Sequence, residues 1–416
     1  MKWISFFSKT SSIGYTYLIF GLLIINPLIE VFNLQLGVPI SYSILDASIF
    51  ITLLSVVLLF SRKLKATGFE SSYAKIIVPL YLAYQLSIIL RVFLNGEGMS
   101  IKYFVTNQYI LWPMVIPFLY FFDKTPDALV YLTKTLFLMG MLFLVIAALD
   151  FPLLTSRLTG EPLMGCLALP IGFILFNMTY FSRRNQWLAL LVLLVALSNS
   201  IFLARRSLIL TFGLLLLIAI ILILRNTKIS AWIKALPAGA LAICLLIIFS
   251  DSFIPKMTER INERLTEDSR SYVVDNFFKD MEKDMLFGKG MNGKYYSPIE
   301  ETAYVEDGVK FDEIEFRDMI ENGYLQSVLS GGIVNVVLFL LTILPAAFLG
   351  IVKSNNSFTR ACGLTILLFA VDMVAYGLPR LTTQYLVVWI SVGVCYTHSL
   401  RNLDEEYWHI KFNPTS

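Results

Sequence analysis

The side chains in this sequence best placed to do chemistry are arginines and carboxylates set beside long apolar runs. Arg205 and Arg206 stand together in SIFLARRSLILTFG, with at most a few residues between two hydrophobic stretches. Two guanidiniums held at one membrane face could clamp an anion, because the planar fork matches phosphate geometry bidentately. The competing reading is a pair that snorkels to lipid headgroups. Arg91 in LSIILRVFLNG and Arg380 in YGLPRLTTQ lie at the ends of other apolar runs and could line the same mouth. Glu321 is the candidate base. A helix running from Asp312 into the next apolar run would put Arg317, Glu321 and Tyr324 or Leu325 on one face, at i, i+4 and i+7 or i+8. Glu321 is then either a general base or the acid half of an ordinary ion pair with Arg317. Asp372, inside LLFAVDMVAYGLP, is a carboxylate in hydrocarbon. Position alone makes it a functional candidate, with a structural partner for an arginine as the alternative.

Glycines 288, 290 and 293 surround Lys289 in LFGKGMNGKYY. Their backbone N–H groups could wrap phosphate, although the Gly-Lys-Ser/Thr ending of a P-loop is missing and a flexible turn serves equally well. The acidic stretch Glu300 to Glu315 reads as a solvated loop or as a sugar-binding lip.

The elements that must position these residues are membrane spans. About 20 apolar residues cross a bilayer, and twelve stretches meet that ruler approximately: 12–32, 43–60, 75–94, 107–122, 133–150, 163–181, 186–203, 207–224, 233–250, 328–351, 361–378 and 382–400. The expected fold is therefore an all-α polytopic membrane protein. Residues 1–250 hold nine spans, 251–327 form one large, mostly helical polar loop, 328–400 hold three more spans, and 401–416 are a tail. Lys and Arg concentrate on alternate short loops, among them Arg62, Lys63, Lys65, Lys124, Arg183, Arg184, Arg225 and Lys228, and thin out on the others. The positive-inside rule then places both termini in the cytoplasm and the large loop outside. Arg205 and Arg206 go against that rule, which is why they need a reason. Within the loop, Ile254, Met257, Ile261 and Leu265 recur at helical spacing, and a second helix through Val273, Phe277, Met281 and Met285 stops near Gly288.

Composition agrees. The 416 residues are 57% hydrophobic and 15% charged, against about 25% charged in soluble domains. The mean hydropathy is +0.71. Lys2 and Lys9 ahead of an apolar stretch imitate a signal peptide, but no small-residue cleavage site follows, so an uncleaved first span is expected. The net charge of +3 comes with no polybasic arm, which excludes nucleic acid as a partner. Cys166, Cys244, Cys362 and Cys395 all lie in or beside apolar runs, so neither a disulfide framework nor a CxxC metal knuckle is expected.

The order of spans and loop, with three local pieces, resembles the O-antigen polymerase and O-antigen ligase superfamily. The pieces are LARRSL, SRSYVVDNFFKDMEKDMLFGKGMNGKYY and RDMIENGYLQSVLSGGIVNVVLF. Members show an outer-face arginine, an Arg-led helix, a Gly-x-Gly turn and a His-Asn-x-Tyr-Leu stretch that ends at Gly before the next span. Carried onto this chain, the arginines fall on Arg205 or Arg206 and on Arg270, the His-Asn pair on Glu321-Asn322, and the final glycine on Gly332. The histidine taken as the ligase base is therefore replaced by glutamate, and the only histidines are His398 and His409. That departure turns the resemblance toward the polymerase.

The resemblance implies a GT-C-like membrane glycosyltransferase of the bacterial inner membrane. Its expected substrates are undecaprenyl-pyrophosphate-linked glycans, joined by inverting transfer at the periplasmic face with no cofactor and no metal. Glu321 would be the catalytic base and Arg205, Arg206 and Arg270 the pyrophosphate clamp. The substrate-binding candidates are Arg91, Lys289, Arg317, Asn322, Tyr324 and Arg380. Membrane lipid and a chain-length regulator protein complete the expected partners. The rival readings are an O-antigen ligase that transfers glycan to lipid A–core and a non-enzymatic polysaccharide transporter or flippase. Internal repeats or helices broken at the midplane would favour the transporter, and no clear repeat is present.

Overall fold

A computed structural model describes residues 21, 51, 69–94, 110–122, 124–149, 154, 157–203, 205–225, 269–297, 316–375 and 377–413. Within them the chain is almost wholly helical. Five helices are long and apolar enough to cross a membrane: Ala74–Val92, Pro126–Leu149, Arg183–Phe202, Gly323–Val352 and Ser357–Ala375. Four shorter apolar helices accompany them, and together they describe a helical membrane protein. The spans expected at 12–32, 43–60 and 233–250, the amphipathic helix at 254–265 and the acidic stretch lie outside the described residues, apart from Gly21 and Ile51.

In chain order, α1 is Ala74–Leu94, and its start is marked by Ser71 Oγ accepting from the Ala74 N–H at 3.3 Å. The expected span at 107–122 is two short turns. Prolines at their N-terminal positions start α2 (Trp112–Val115) and a 3-10 turn, Ile116–Phe121. α3 (Pro126–Leu149) begins earlier than the apolar count suggested. The stretch 163–181 is interrupted as well. α4 (Arg157–Leu163) passes through a π-helical turn at Met164–Ala168, and Pro170, which has no N–H to donate, starts α5 (Ile171–Phe176). α6 (Arg183–Phe202) and α7 (Arg206–Arg225) form a tight antiparallel pair.

α8 (Ser269–Asp280) follows and ends in turns that reach Gly288. Strands β1 (Tyr295–Tyr296) and β2 (Phe316–Arg317) pair antiparallel, Tyr295 opposite Arg317. Then come α9 (Gly323–Val352), α10 (Ser357–Ala375), α11 (Thr383–Tyr396) and the short α12 (His398–Arg401) and α13 (Glu405–Phe412).

α9, α10 and α11 pack on one another, with α1 on α9 and α5 and α7 on α10. Trp389 on α11 is fully buried at the centre, stacked on Tyr81 with centroids 5.3 Å apart. At the Val352 end, α13 docks through Trp408 stacked on Phe358 at 4.2 Å. Glu405 accepts the Ser357 N–H at 2.7 Å, and Lys411 donates to Asp127 at 2.9 Å. His398 and His409 belong to this end, and Asn322 stands at the opposite end of α9.

Over the described residues 316–322 the helix expected from Asp312 is not formed. Arg317 lies in β2, residues 318–322 are irregular, and α9 begins only at Gly323, with Asn322 as its N-cap. Arg317 and Glu321 are therefore not i, i+4 neighbours on a helix face. Two local preferences stop the helix short: aromatic side chains at Tyr295, Tyr296 and Phe316 favour a strand pair, and Asn322 favours a cap.

Candidate active site

The site is built around a break in α9. Gly332 has φ 69° and ψ −175°, a backbone region essentially confined to glycine. The break leaves carbonyls and N–H groups of α9 without intrahelical partners, and the glycine loop takes them. The Lys289 N–H donates to the Leu329 carbonyl at 2.8 Å and the Gly290 N–H to Ser330 at 3.0 Å. In return the Ile333 N–H donates to Met285 at 2.9 Å and the Val334 N–H to Leu286 at 3.3 Å. A Cβ on Gly332 would collide with the Leu286 carbonyl, and one on Gly288 would lie 2.5 Å from the Gly332 nitrogen.

Of the two readings open for the loop, phosphate wrapping or a turn, the hydrogen bonds favour the turn. The N–H groups of Gly288, Lys289, Gly290 and Gly293 are all committed, those of Gly288 and Gly293 to Asp284 and Gly290. The glycines serve close backbone approach to a helix.

From the notch a set of contacts runs through α8 and the strand pair and back to α9. The Lys289 ammonium pairs with Asp280 of α8, which also accepts from the Tyr296 N–H at 3.1 Å. Tyr295 is buried against Phe277 and donates through its hydroxyl to the Met319 carbonyl at 3.3 Å. Ile320, Val328, Leu329 and Met281 complete a small apolar core there. Glu321 follows Ile320 and is exposed. Asn322 then anchors the return: Oδ1 accepts from the Tyr324 and Leu325 N–H groups at 3.0 Å, and Nδ2 donates to the Val374 carbonyl of α10 at 2.8 Å. The Tyr324 hydroxyl donates to Ala370 at 2.7 Å. Glu321 thus stands one residue before the N-cap of a long helix, where the dipole favours negative charge.

α10 links this mouth to the arginine turn. Buried Asp372 accepts from the Thr211 hydroxyl of α7 and faces the charge of Arg380. Asp372 is therefore a structural tie between α7 and α10 beside an arginine. Arg205, in the α6–α7 turn, pairs with Glu161 of α4 at 2.5 Å. On the other flank α1 grips the notch: Tyr84 donates to the Gly331 carbonyl at 2.6 Å, Gln85 to Asn335 Oδ1 at 2.6 Å, and Arg91 to the Phe287 carbonyl at 2.8 Å. Beneath lies a pocket lined by uncharged groups, among them Tyr81, Gln85, Gln326, Ser330, Asn335 and Tyr385.

The structure thus gathers Glu321, Asn322, Tyr324, Asp372 and Arg380 at one mouth, with Lys289, Arg317 and Arg91 on the loop side. Arg206 opens α7 and Arg270 lies in the first turn of α8; their side chains are outside the described part. Arg91 Nη2, Arg205 Nε and Arg317 Nε are buried without a hydrogen-bond partner among the described residues. Sequence reasoning missed Glu161, Gln85, Asn335 and Gln326. Glu161 had a signal, an acid opposite Arg205 just before an expected span; the amides, lone polar residues in apolar runs, had none.

A family model described as Wzy_C, O-antigen ligase, matches residues 199–340, about a third of the chain. No curated protein matches it. Over those residues, which run from the end of α6 into α9, the chain is similar to that family.

Proposed function

We propose that the chain is an O-antigen polymerase-type glycosyltransferase of the bacterial inner membrane. It joins undecaprenyl-pyrophosphate-linked repeat units at the periplasmic face into O-antigen or a related surface polysaccharide. The observation that carries this reading is the family match over 199–340, which takes in the arginine turn, α8, the glycine loop and the Glu321 mouth. The growing glycan on its lipid pyrophosphate is the donor, and a hydroxyl of the incoming lipid-linked unit is the acceptor. Glu321 takes the hydroxyl proton as that oxygen bonds to the anomeric carbon with inversion. The bond from the anomeric carbon to the pyrophosphate oxygen breaks, and its electron pair leaves with the pyrophosphate, already a stable anion that needs no acid or metal. Arg205, Arg206 and Arg270 meet the developing charge, where fixed cations act most strongly. Arg91, Lys289, Arg317, Asn322, Tyr324 and Arg380 hold sugars or phosphate around them. Both termini face the cytoplasm, residues 251–327 the periplasm, and a chain-length regulator is a further partner.

The description of the matched family favours a second reading, an O-antigen ligase with lipid A–core as acceptor. Against it, Glu321 stands where the ligase pattern has its histidine, and His398 and His409 sit at the far end of the bundle. The test is complementation of cells lacking the chain by Glu321→Gln. Single-repeat glycan is expected; polymer of normal length would remove the base assignment.

A further inference from the structure

Glu321 lies in a stretch, 318–322, with no helix or strand to fix it. Its backbone is held by the Asn322 N–H, which donates to the Ile320 carbonyl at 2.8 Å across Glu321, and by side chains that reach the stretch from outside. On the far side Asn322 is anchored to α9 and α10. On the near side the Tyr295 hydroxyl donates to the Met319 carbonyl at 3.3 Å, and Gln326 makes two further contacts. Gln326, one turn into α9, accepts the Ile320 N–H on Oε1 at 2.9 Å and donates from Nε2 to the Asp318 carbonyl at 3.3 Å. Its own N–H donates to the Asn322 carbonyl at 2.9 Å. The orientation of the amide is settled by its partners, since an N–H needs the oxygen and a carbonyl needs the nitrogen. A side chain that must accept and donate across one short loop is an amide of this length; Glu loses the donor, and Met and Ala lose both ends.

We propose that Gln326 is a positioning residue for Glu321: its bidentate amide sets the 318–320 backbone and so the place from which the Glu321 carboxylate meets the acceptor hydroxyl. The inference rests on the base reading given above. It concerns kcat rather than binding, because Gln326 acts on a group used in the transition state and a base displaced by about 1 Å can cost up to 10²-fold.

The test uses purified full-length protein in liposomes, with lipid-linked oligosaccharide extracted from cells lacking the chain as substrate and rates taken per folded molecule from the monodisperse fraction. Gln326→Met, which keeps the volume and removes both hydrogen bonds, and Gln326→Ala are both expected to lower kcat about tenfold or more, with KM nearly unchanged. The double variant E321Q/Q326M is expected to be no slower than E321Q, because a misplaced base matters only when there is a base. Full activity in Q326M beside an inactive E321Q would overturn the positioning role and leave the base reading standing. So would losses that add in the double variant, which would mean that Gln326 acts apart from Glu321. Full activity in E321Q would overturn the base reading and the inference together.

Discussion

Glu321 and the arginines divide the proposed chemistry into a proton and a charge. A missing general base costs about 10²- to 10⁴-fold, so Glu321→Gln is expected to lower the polymerisation rate by that range in the liposome assay; a change under threefold would refute it. Arg205 is held by Glu161, and its buried Nε has no hydrogen-bond partner among the described residues. Arg205→Ala is expected to cost about 10²-fold, and Arg205→Lys to recover little because a point charge cannot replace a fork. Glu161→Gln, which leaves the guanidinium in place, is expected to cost less than Arg205→Ala; the reverse order would mean that the acid, not the arginine, is needed. These residues were legible in the sequence as types and positions, because an arginine pair between spans breaks the positive-inside pattern. Their partners were not: Arg317 and Glu321 read as one helix face until the strand pair and the Asn322 cap separated them. Gln326 reaches the Glu321 stretch through backbone groups of Asp318 and Ile320, which no side-chain spacing reports.

The broken helix α9 is the element on which the site depends. About 20 residues beyond the break, Ile333–Val352, are enough to cross a bilayer at 1.5 Å each, so the break falls near the membrane surface rather than at the midplane. That placement fits a docking notch for the loop better than a transporter's unwound site. Gly332→Ala is expected to destabilise by about 1–3 kcal/mol from backbone conformation alone, with further loss from the collision at Leu286. Hydrogen exchange would report it as faster exchange at the Lys289, Gly290 and Ile333 amides. Unchanged protection there would refute the notch. The glycines stood out in the sequence, yet their use did not, because the partner of the 288–290 turn lies some forty residues away in a run that reads as uninterrupted hydrocarbon.

For the whole molecule, the sequence was legible wherever length and hydropathy alone decide. α1, α6, α7, α9, α10 and α11 lie on expected spans; prolines at 113, 117 and 170 broke two others into turns. The mouth at Asn322 and the docked α13 occupy opposite ends of the bundle. A cysteine at exposed Tyr296 is expected to react with a membrane-impermeant thiol reagent in spheroplasts, and one at exposed Tyr407 only after permeabilisation; the opposite pattern would invert the topology. The central claim, polymerisation, is tested most directly by the surface polysaccharide of cells lacking the chain, separated on a gel. The ladder is expected to collapse to a single repeat unit still attached to its lipid anchor. An unaltered ladder, or loss of all glycan from the anchor, would contradict it.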